Sequence, residues 1–167
     1  FEMDKVKIAM TKLSMLMERQ INYLLNNKLN QKFPPFLNVG KLGLNFGLQG
    51  MQFGAVSTTA ENQSLSMPVY IHSIPNNGDN QDIVSMGTNS ALIAERVIDN
   101  CFEVLAVQLV AIAQAIDIDE SYSNLSSKSK ELYNFVREHI PLIDEDQPMY
   151  KELADIKSAL KASKERL

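Results

Sequence analysis

Residues 80–118 read NQDIVSMGTNSALIAERVIDNCFEVLAVQLVAIAQAIDI, a run of 39 residues with no proline and one glycine, Gly87. Met86, Ile93, Val97, Cys101, Leu105, Ile112 and Ile116 recur at helical spacing, and Val104, Val107 and Val110 make the second half apolar on nearly every side. A helix over the whole stretch would be roughly 58 Å long. Such a rod needs neighbours on several faces, and this sets the expectation of an all-α bundle of long helices.

The flanking sequence fits that frame. Upstream, Val6, Met10, Leu13, Met17 and Leu24 form one stripe from Val6 to Leu29, widened by Ala9, Leu16 and Tyr23, which predicts a long helix with a broad apolar face. Residues 30–50 contain Pro34-Pro35 and four glycines, too many breakers for regular helix. They predict an extended connector anchored by Phe33, Phe36, Leu42 and Phe46. Residues 51–67 are rich in small side chains that allow close helix packing, and Pro68 ends that segment. Val69 to Ile74 has mild strand character, and Pro75-Asn76-Asn77-Gly78-Asp79 predicts a turn leading directly into the long helix.

Downstream, Asp117 to Ser127 reads as a polar loop. Ser126 or Ser127 caps a helix through Ile140 with Leu132, Phe135, Val136 and Ile140 inside. A last helix follows Pro148, carrying Leu153, Ile156 and Leu160, with Asp144, Glu145 and Asp146 placed to favour its start. No repeat or low-complexity linker divides the chain, so residues 1–167 are expected to form a single helical domain.

Composition narrows the function classes. The 167 residues are 45% hydrophobic and 22% charged, with a net charge of −4, an ordinary globular balance that argues against nucleic acid and anionic membranes as partners. The basic stretch Lys157 to Arg166 is interleaved with Glu165 and reads as a solvated helix end. The 13-residue apolar run from Val104 to Ile116 is too short to span a bilayer. The single cysteine, Cys101, excludes an internal disulfide framework and lies among apolar neighbours as a buried, inert thiol. With no leader pattern at the start, the cytoplasm is the expected location. The opening Phe1-Glu2-Met3-Asp4 lacks an initiator and drops at once into an apolar pattern, as a piece of a longer protein would. His72 and His139 are isolated from each other and from Cys101, so no metal site is expected. Glu61 is expected to be a buried structural partner rather than a catalytic acid.

The segment with chemical character is Ile74 to Gly87, where Asn76, Asn77, Asp79, Asn80, Gln81 and Asp82 crowd between a proline turn and a helix start. Side-chain amides both donate and accept. At a helix N-terminus they can hold a carboxylate or a polarised carbonyl with help from free backbone N–H groups. Turn formation and helix capping by the same residues is the alternative reading of composition alone.

Ile74-Pro-Asn-Asn-Gly-Asp-Asn-Gln-Asp-Ile-Val-Ser-Met-Gly87, preceded by Gly43-Leu-Asn-Phe-Gly47, Ser57-Thr-Thr-Ala-Glu-Asn62 and Met67-Pro68, resembles the C-terminal signature of the aromatic amino acid ammonia-lyases, bacterial tyrosine-type members above all. The likeness continues through Ile140-Pro141 and Asp144-Glu-Asp-Gln-Pro-Met-Tyr150. What the resemblance implies is the C-terminal part of a mostly helical homotetramer with active sites at subunit junctions. Its members eliminate ammonia from histidine, tyrosine or phenylalanine to give an arylacrylate. They use a methylidene-imidazolone (MIO) electrophile formed from an internal Ala-Ser-Gly. No Ala-Ser-Gly occurs in this sequence, so the piece alone is expected to be inactive.

Carried over by position, Asn80 and Gln81 fall where the family places polar groups against the electrophile and the reacting substrate, as catalytic residues. Asn77 falls near the substrate carboxylate and amine, and Gln49 at the pocket floor, both as substrate-binding residues. Histidine-type members resemble one another in carrying glutamate where this chain has Gln81, so the resemblance favours tyrosine or phenylalanine as substrate. A histidine ammonia-lyase or an aminomutase of the same family, or a catalytically silent helical oligomerisation module, are the competing readings.

Overall fold

The computed structural model describes residues 1–163. Among them there are six α-helices and no strand: α1 Glu2–Leu25, α2 Asn27–Asn30, α3 Gln49–Leu65, α4 Gly87–Ile118, α5 Ser127–His139 and α6 Tyr150–Ala162. The all-α expectation holds. α4 is the axis of the bundle, and α1, α3, α5 and α6 all pack on it. It is long enough to cross a membrane and contains an 18-residue stretch apolar enough to do so, unlike the shorter run considered from sequence. Here that apolar surface meets helices, with Val97, Val104, Val110 and Ala111 fully buried.

α4 begins at Gly87, not near Asn80. Residues 80–86 contain no helix breaker, but their backbone groups are taken by partners outside any helix, and helical bonding starts only with Ser90 N donating to Met86 O at 3.0 Å. The strand character of residues 69–74 is not realised either, because this segment makes turns instead.

α1 turns a different face inward from the one its apolar pattern suggests. The buried positions are Asp4, Lys7, Thr11, Ser14, Met17, Glu18, Ile21 and Leu25, a stripe at alternating three- and four-residue steps that is polar for its first half. Leu13, Leu16 and Tyr23 lie at the surface. Asn30 ends the segment: its side-chain amide donates to Tyr23 O, Leu24 O and Asn26 O at 2.9–3.0 Å, satisfying carbonyls that the helix end leaves open.

In the connector, Leu37 and Leu48 are the buried anchors, while Leu42 and Phe46 are largely exposed. Phe36 and Leu37 both take positive φ. Gly47 does so as well, and a Cβ there would sit 2.7 Å from Phe36 O, so only glycine fits.

Ser126 caps α5 through Ser129 N, as expected. Asp146 does not serve the start of α6. Its carboxylate accepts from Phe46 N at 2.8 Å and Gly47 N at 3.0 Å, fastening the segment between α5 and α6 onto the connector. Lys157 and Lys161 of α6 are not free in solvent: both donate to Asp99 on α4, at 2.7 and 2.6 Å, and these bonds hold the Asp99 carboxyl below its usual range. Lys164, Glu165 and Arg166 lie outside the described residues.

Gln114 interrupts the apolar face of α4 for a reason. It is fully buried; its Nε2 donates to Ile143 O at 2.8 Å and Leu37 O at 3.4 Å, and its Oε1 accepts from Ile143 N at 3.2 Å. Gln114→Leu strands those backbone groups away from water, and is expected to lower the intact protein's stability by about 2–4 kcal/mol. A thermal midpoint unchanged by this substitution would contradict that role.

Candidate active site

The amide-rich segment is an exposed but internally bonded turn. Asn76 and Gln81 exchange backbone hydrogen bonds, Asn76 N to Gln81 O at 2.9 Å and Gln81 N to Asn76 O at 3.3 Å, while Asn80 N donates to Asn77 O at 3.3 Å. Asn77, Gly78 and Asp79 all have φ between 57° and 64°. Three consecutive left-handed residues demand types that tolerate that region, and Asn-Gly-Asp supplies them. Below the turn, Ser73 Oγ donates to Asp82 O at 3.2 Å and accepts from Val84 N at 2.8 Å.

Backbone groups and Ser73 therefore hold the turn's shape. The side chains of Asn77, Asn80 and Gln81 are exposed and take no hydrogen bond from the described residues, which leaves their amides available to an external group. They do not stand at the first turn of a helix, so the helix-dipole contribution expected from sequence does not apply to them.

One carboxylate fixes the base of this excursion. Asp4 accepts from Val69 N at 3.1 Å, Tyr70 N at 3.0 Å and Ser90 Oγ at 2.8 Å, and Lys7 Nζ lies 2.8 Å from its Oδ1. Lys7 also donates to Met67 O at 2.6 Å. Both side chains are almost completely buried. Burial pushes the Asp4 carboxyl up, but the bonds from Lys7, Ser90 and the amides of Val69 and Tyr70 outweigh it and hold the group well below the usual carboxylate range. This anchor was not singled out from sequence. Its signal was the extension of the buried stripe of α1 backward from Leu25 and Ile21 at the same three- and four-residue steps, onto Asp4 and Lys7.

Gln49 opens α3, half-buried, on the wall of a cavity of about 710 Å³ with Phe46, Phe53, Val107, Met149 and Tyr150. None of Asn77, Asn80 and Gln81 lines that cavity. Gln49 stands at the N-terminal end of α3, and the segment bearing the turn leaves from its C-terminal end. Within one chain the turn residues are together and Gln49 is apart.

His139 Nδ1 lies 2.8 Å from Phe135 O, with the two rings 4.9 Å apart, and His72 is exposed. No group of three potential metal ligands occurs among the described residues. Glu61 is exposed rather than buried; it pairs with Arg96 and accepts from Asn100 at 2.9 Å, fixing α3 against α4. Cys101 is buried, its thiol donating to Met10 O at 3.2 Å, and burial pushes it up to about 11. Iodoacetamide at pH 8 is expected to leave Cys101 unmodified in the folded protein and to label it fully on denaturation, as mass spectrometry would read. Native-state labelling would contradict the buried setting.

A helical bundle presenting an amide-bearing turn has clear relatives. The model of the aromatic amino acid lyase family matches residues 1–138. An MIO-dependent tyrosine 2,3-aminomutase of Streptomyces globisporus is 43% identical over 96% of this chain and 30% of its own length. The crystal structure of that organism's tyrosine aminomutase superposes with a TM-score of 0.91, over 95% of this chain and 30% of the other. A tyrosine ammonia-lyase of Cupriavidus metallidurans is 37% identical over 96% of this chain and 30% of its own length. A histidine ammonia-lyase of Macrococcus caseolyticus is 36% identical over 98% and 32%. The chain belongs to the aromatic amino acid lyase family. It spans about a third of the length of the relatives it matches.

Proposed function

We propose that this chain is the C-terminal part of an aromatic amino acid ammonia-lyase, in which it contributes the polar turn of a site that removes ammonia from tyrosine or phenylalanine. The observation that carries the reading is the turn itself: its conformation is secured by its own backbone and by Ser73, which fixes the backbone positions from which the unpaired amides of Asn77, Asn80 and Gln81 extend. Neutral amide dipoles brought to one place on a defined backbone can stabilise charge that develops during reaction once substrate orders them.

In this reading Asn80 and Gln81 orient the reacting amine and the electrophile's polar atoms, and Asn77 holds the substrate's carboxylate and amine end. None of the three needs to exchange a proton. Gln81 adds no charge to a site already handling an ammonium and a carboxylate, and a neutral group here suits a phenyl or phenol ring better than an imidazole. The methylidene-imidazolone group, when present, supplies the electrophile that activates the substrate. Uncharged side chains that both donate and accept form a suitable donor set for a group whose polar atoms are neutral. Ala-Ser-Gly is not in this chain, so the group is supplied from elsewhere in the intact protein and the 167 residues alone are inactive.

Gln49 reaches such a site only if the floor of one pocket and the turn come from different copies, which supports a homo-oligomer; that it is a homotetramer is what the family resemblance implies. Exposed Leu13, Leu16, Phe53, Ile74 and Ile83 support burial against further protein. An aminomutase, returning the amine to the neighbouring carbon, is the second reading, favoured by the name of the 43% identical relative.

Chromatography of the intact protein's products from tyrosine and phenylalanine tests the proposal. Arylacrylate with equimolar ammonia is the expected result. A β-amino acid would transfer the assignment to the aminomutase, and no turnover of either substrate would overturn the reading.

A further inference from the structure

The segment from Tyr70 to Ser90 leaves the bundle and returns to it, carrying Asn77, Asn80 and Gln81 between its two ends. Both ends are bound by the same side chain. Asp4 Oδ2 accepts from Tyr70 N at 3.0 Å where the excursion leaves, and Asp4 Oδ1 accepts from Ser90 Oγ at 2.8 Å where it returns. Lys7 adds a second tie at the exit, donating to Met67 O at 2.6 Å while lying 2.8 Å from Asp4.

We propose that Asp4 is a positioning residue for the active-site turn: from inside the bundle, 73 or more residues away in sequence, it closes the base of the excursion and so sets where the amides of Asn77, Asn80 and Gln81 stand. This inference rests on the reading of the turn as part of the active site.

The chemistry of the site favours this role over simple packing. A buried ion pair is a poor source of net stability, because desolvating two charges offsets much of their attraction. An apolar pair would fill the same space. Only a carboxylate has enough acceptor sites to bind two backbone amides, a hydroxyl and an ammonium at once. Those four donors come from the exit of the excursion, its return and α1, so the arrangement fixes relative position. Outside this base most of the excursion is exposed, Ile71, Ile74 and Ile83 largely so; Val84 and Met86 are half-buried, and Phe1 packs on Tyr70 with ring centroids 4.3 Å apart, so Asp4 is the one side chain that ties the exit to the return by hydrogen bonds among the described residues.

The test uses the intact protein with Asp4→Asn, nearly the same shape, which places an amide donor against the N–H groups of Val69 and Tyr70. Three quantities are read: kcat, KM, and hydrogen–deuterium exchange over residues 66–86. Expected are a fall in kcat of about tenfold to a hundredfold, as for a small misplacement of reacting groups, a KM within about threefold of the parent, and faster exchange in 66–86 while α3 and α4 stay protected. Leu160→Ala, a buried change on α6, serves as the control: it lowers the thermal midpoint but leaves kcat per folded protein and exchange in 66–86 unchanged.

Should Asp4→Asn fail to fold, Ser90→Ala removes a single bond and leaves the ion pair. It is expected to speed exchange in 66–86 and to lower kcat about twofold to fivefold, in line with one lost hydrogen bond. Unchanged exchange, or faster exchange with unchanged kcat, overturns the proposal in either variant. If instead Asn80→Ala with Gln81→Ala leaves turnover intact, the active-site reading itself fails and the positioning role falls with it. Loss of turnover in that double variant, with Asp4→Asn active, refutes only the positioning role.

Discussion

Changing Asn80 and Gln81 together to alanine in the intact protein is expected to lower kcat by about two to three orders of magnitude, the scale seen when fixed donors are removed from a developing charge. The fold should survive. Both side chains are exposed and the bonds that shape the turn are backbone bonds and those of Ser73, so neither substitution removes a structural contact. Circular dichroism and the thermal midpoint should match the parent while turnover collapses. A double variant that turns over tyrosine or phenylalanine at the parent rate would remove these residues from the chemistry.

The largest expected effect on stability lies at Lys7. Lys7→Met replaces a buried ammonium with an apolar chain of similar length and leaves the Asp4 carboxylate in the interior without its cation, a change expected to cost about 3–5 kcal/mol. The pH dependence has a defined sign. Because the folded state holds the Asp4 carboxyl well below its ordinary value, its contribution is present in full above that ordinary value, near 3.8. It is lost as pH falls through the depressed folded value. In the parent the anchor should thus persist into strongly acidic solution. Without Lys7 the folded value moves up toward the ordinary one, so the window over which acid removes the Asp4 contribution narrows, and the thermal midpoint should fall less between about pH 4 and pH 3 than it does in the parent. Identical pH profiles between pH 3 and 7 would contradict the pairing.

How far the sequence could be read differs by element. The central helix was legible because a proline-free apolar run has few other solutions, and the turn because three left-handed residues in succession need types such as Asn, Gly and Asp. The start of α4 was not legible: nothing in residues 80–86 breaks a helix, and the bonds that withhold them from it come from Ser73 and Asn76 in the preceding segment. Asp146 was misassigned for a similar reason, since its partners are Phe46 and Gly47, about 100 residues earlier.

The inward face of α1 was concealed by a physical ambiguity. Apolar periodicity marks surface that avoids water, whether a chain's own core or other protein covers it. Leu13, Leu16 and Tyr23 therefore competed in the pattern with Met17, Ile21 and Leu25, and only the last three enter this chain's core. Polar residues on the buried stripe, Asp4 and Lys7 among them, fell below an apolar count although they hold the base of the candidate site. Of that site, Asn77, Asn80 and Gln81 were found together on one turn, whereas Gln49 stands on a separate cavity.

Ultraviolet absorbance, followed on adding tyrosine, phenylalanine and histidine separately to the intact protein and in parallel to the 167-residue chain alone, decides whether the chain belongs to a lyase acting on an uncharged ring. Arylacrylate absorbance is expected from the intact protein with tyrosine or phenylalanine, little or none with histidine, and none from the chain alone. Turnover by the 167 residues alone, or an intact, folded protein that acts on none of the three, would contradict that assignment.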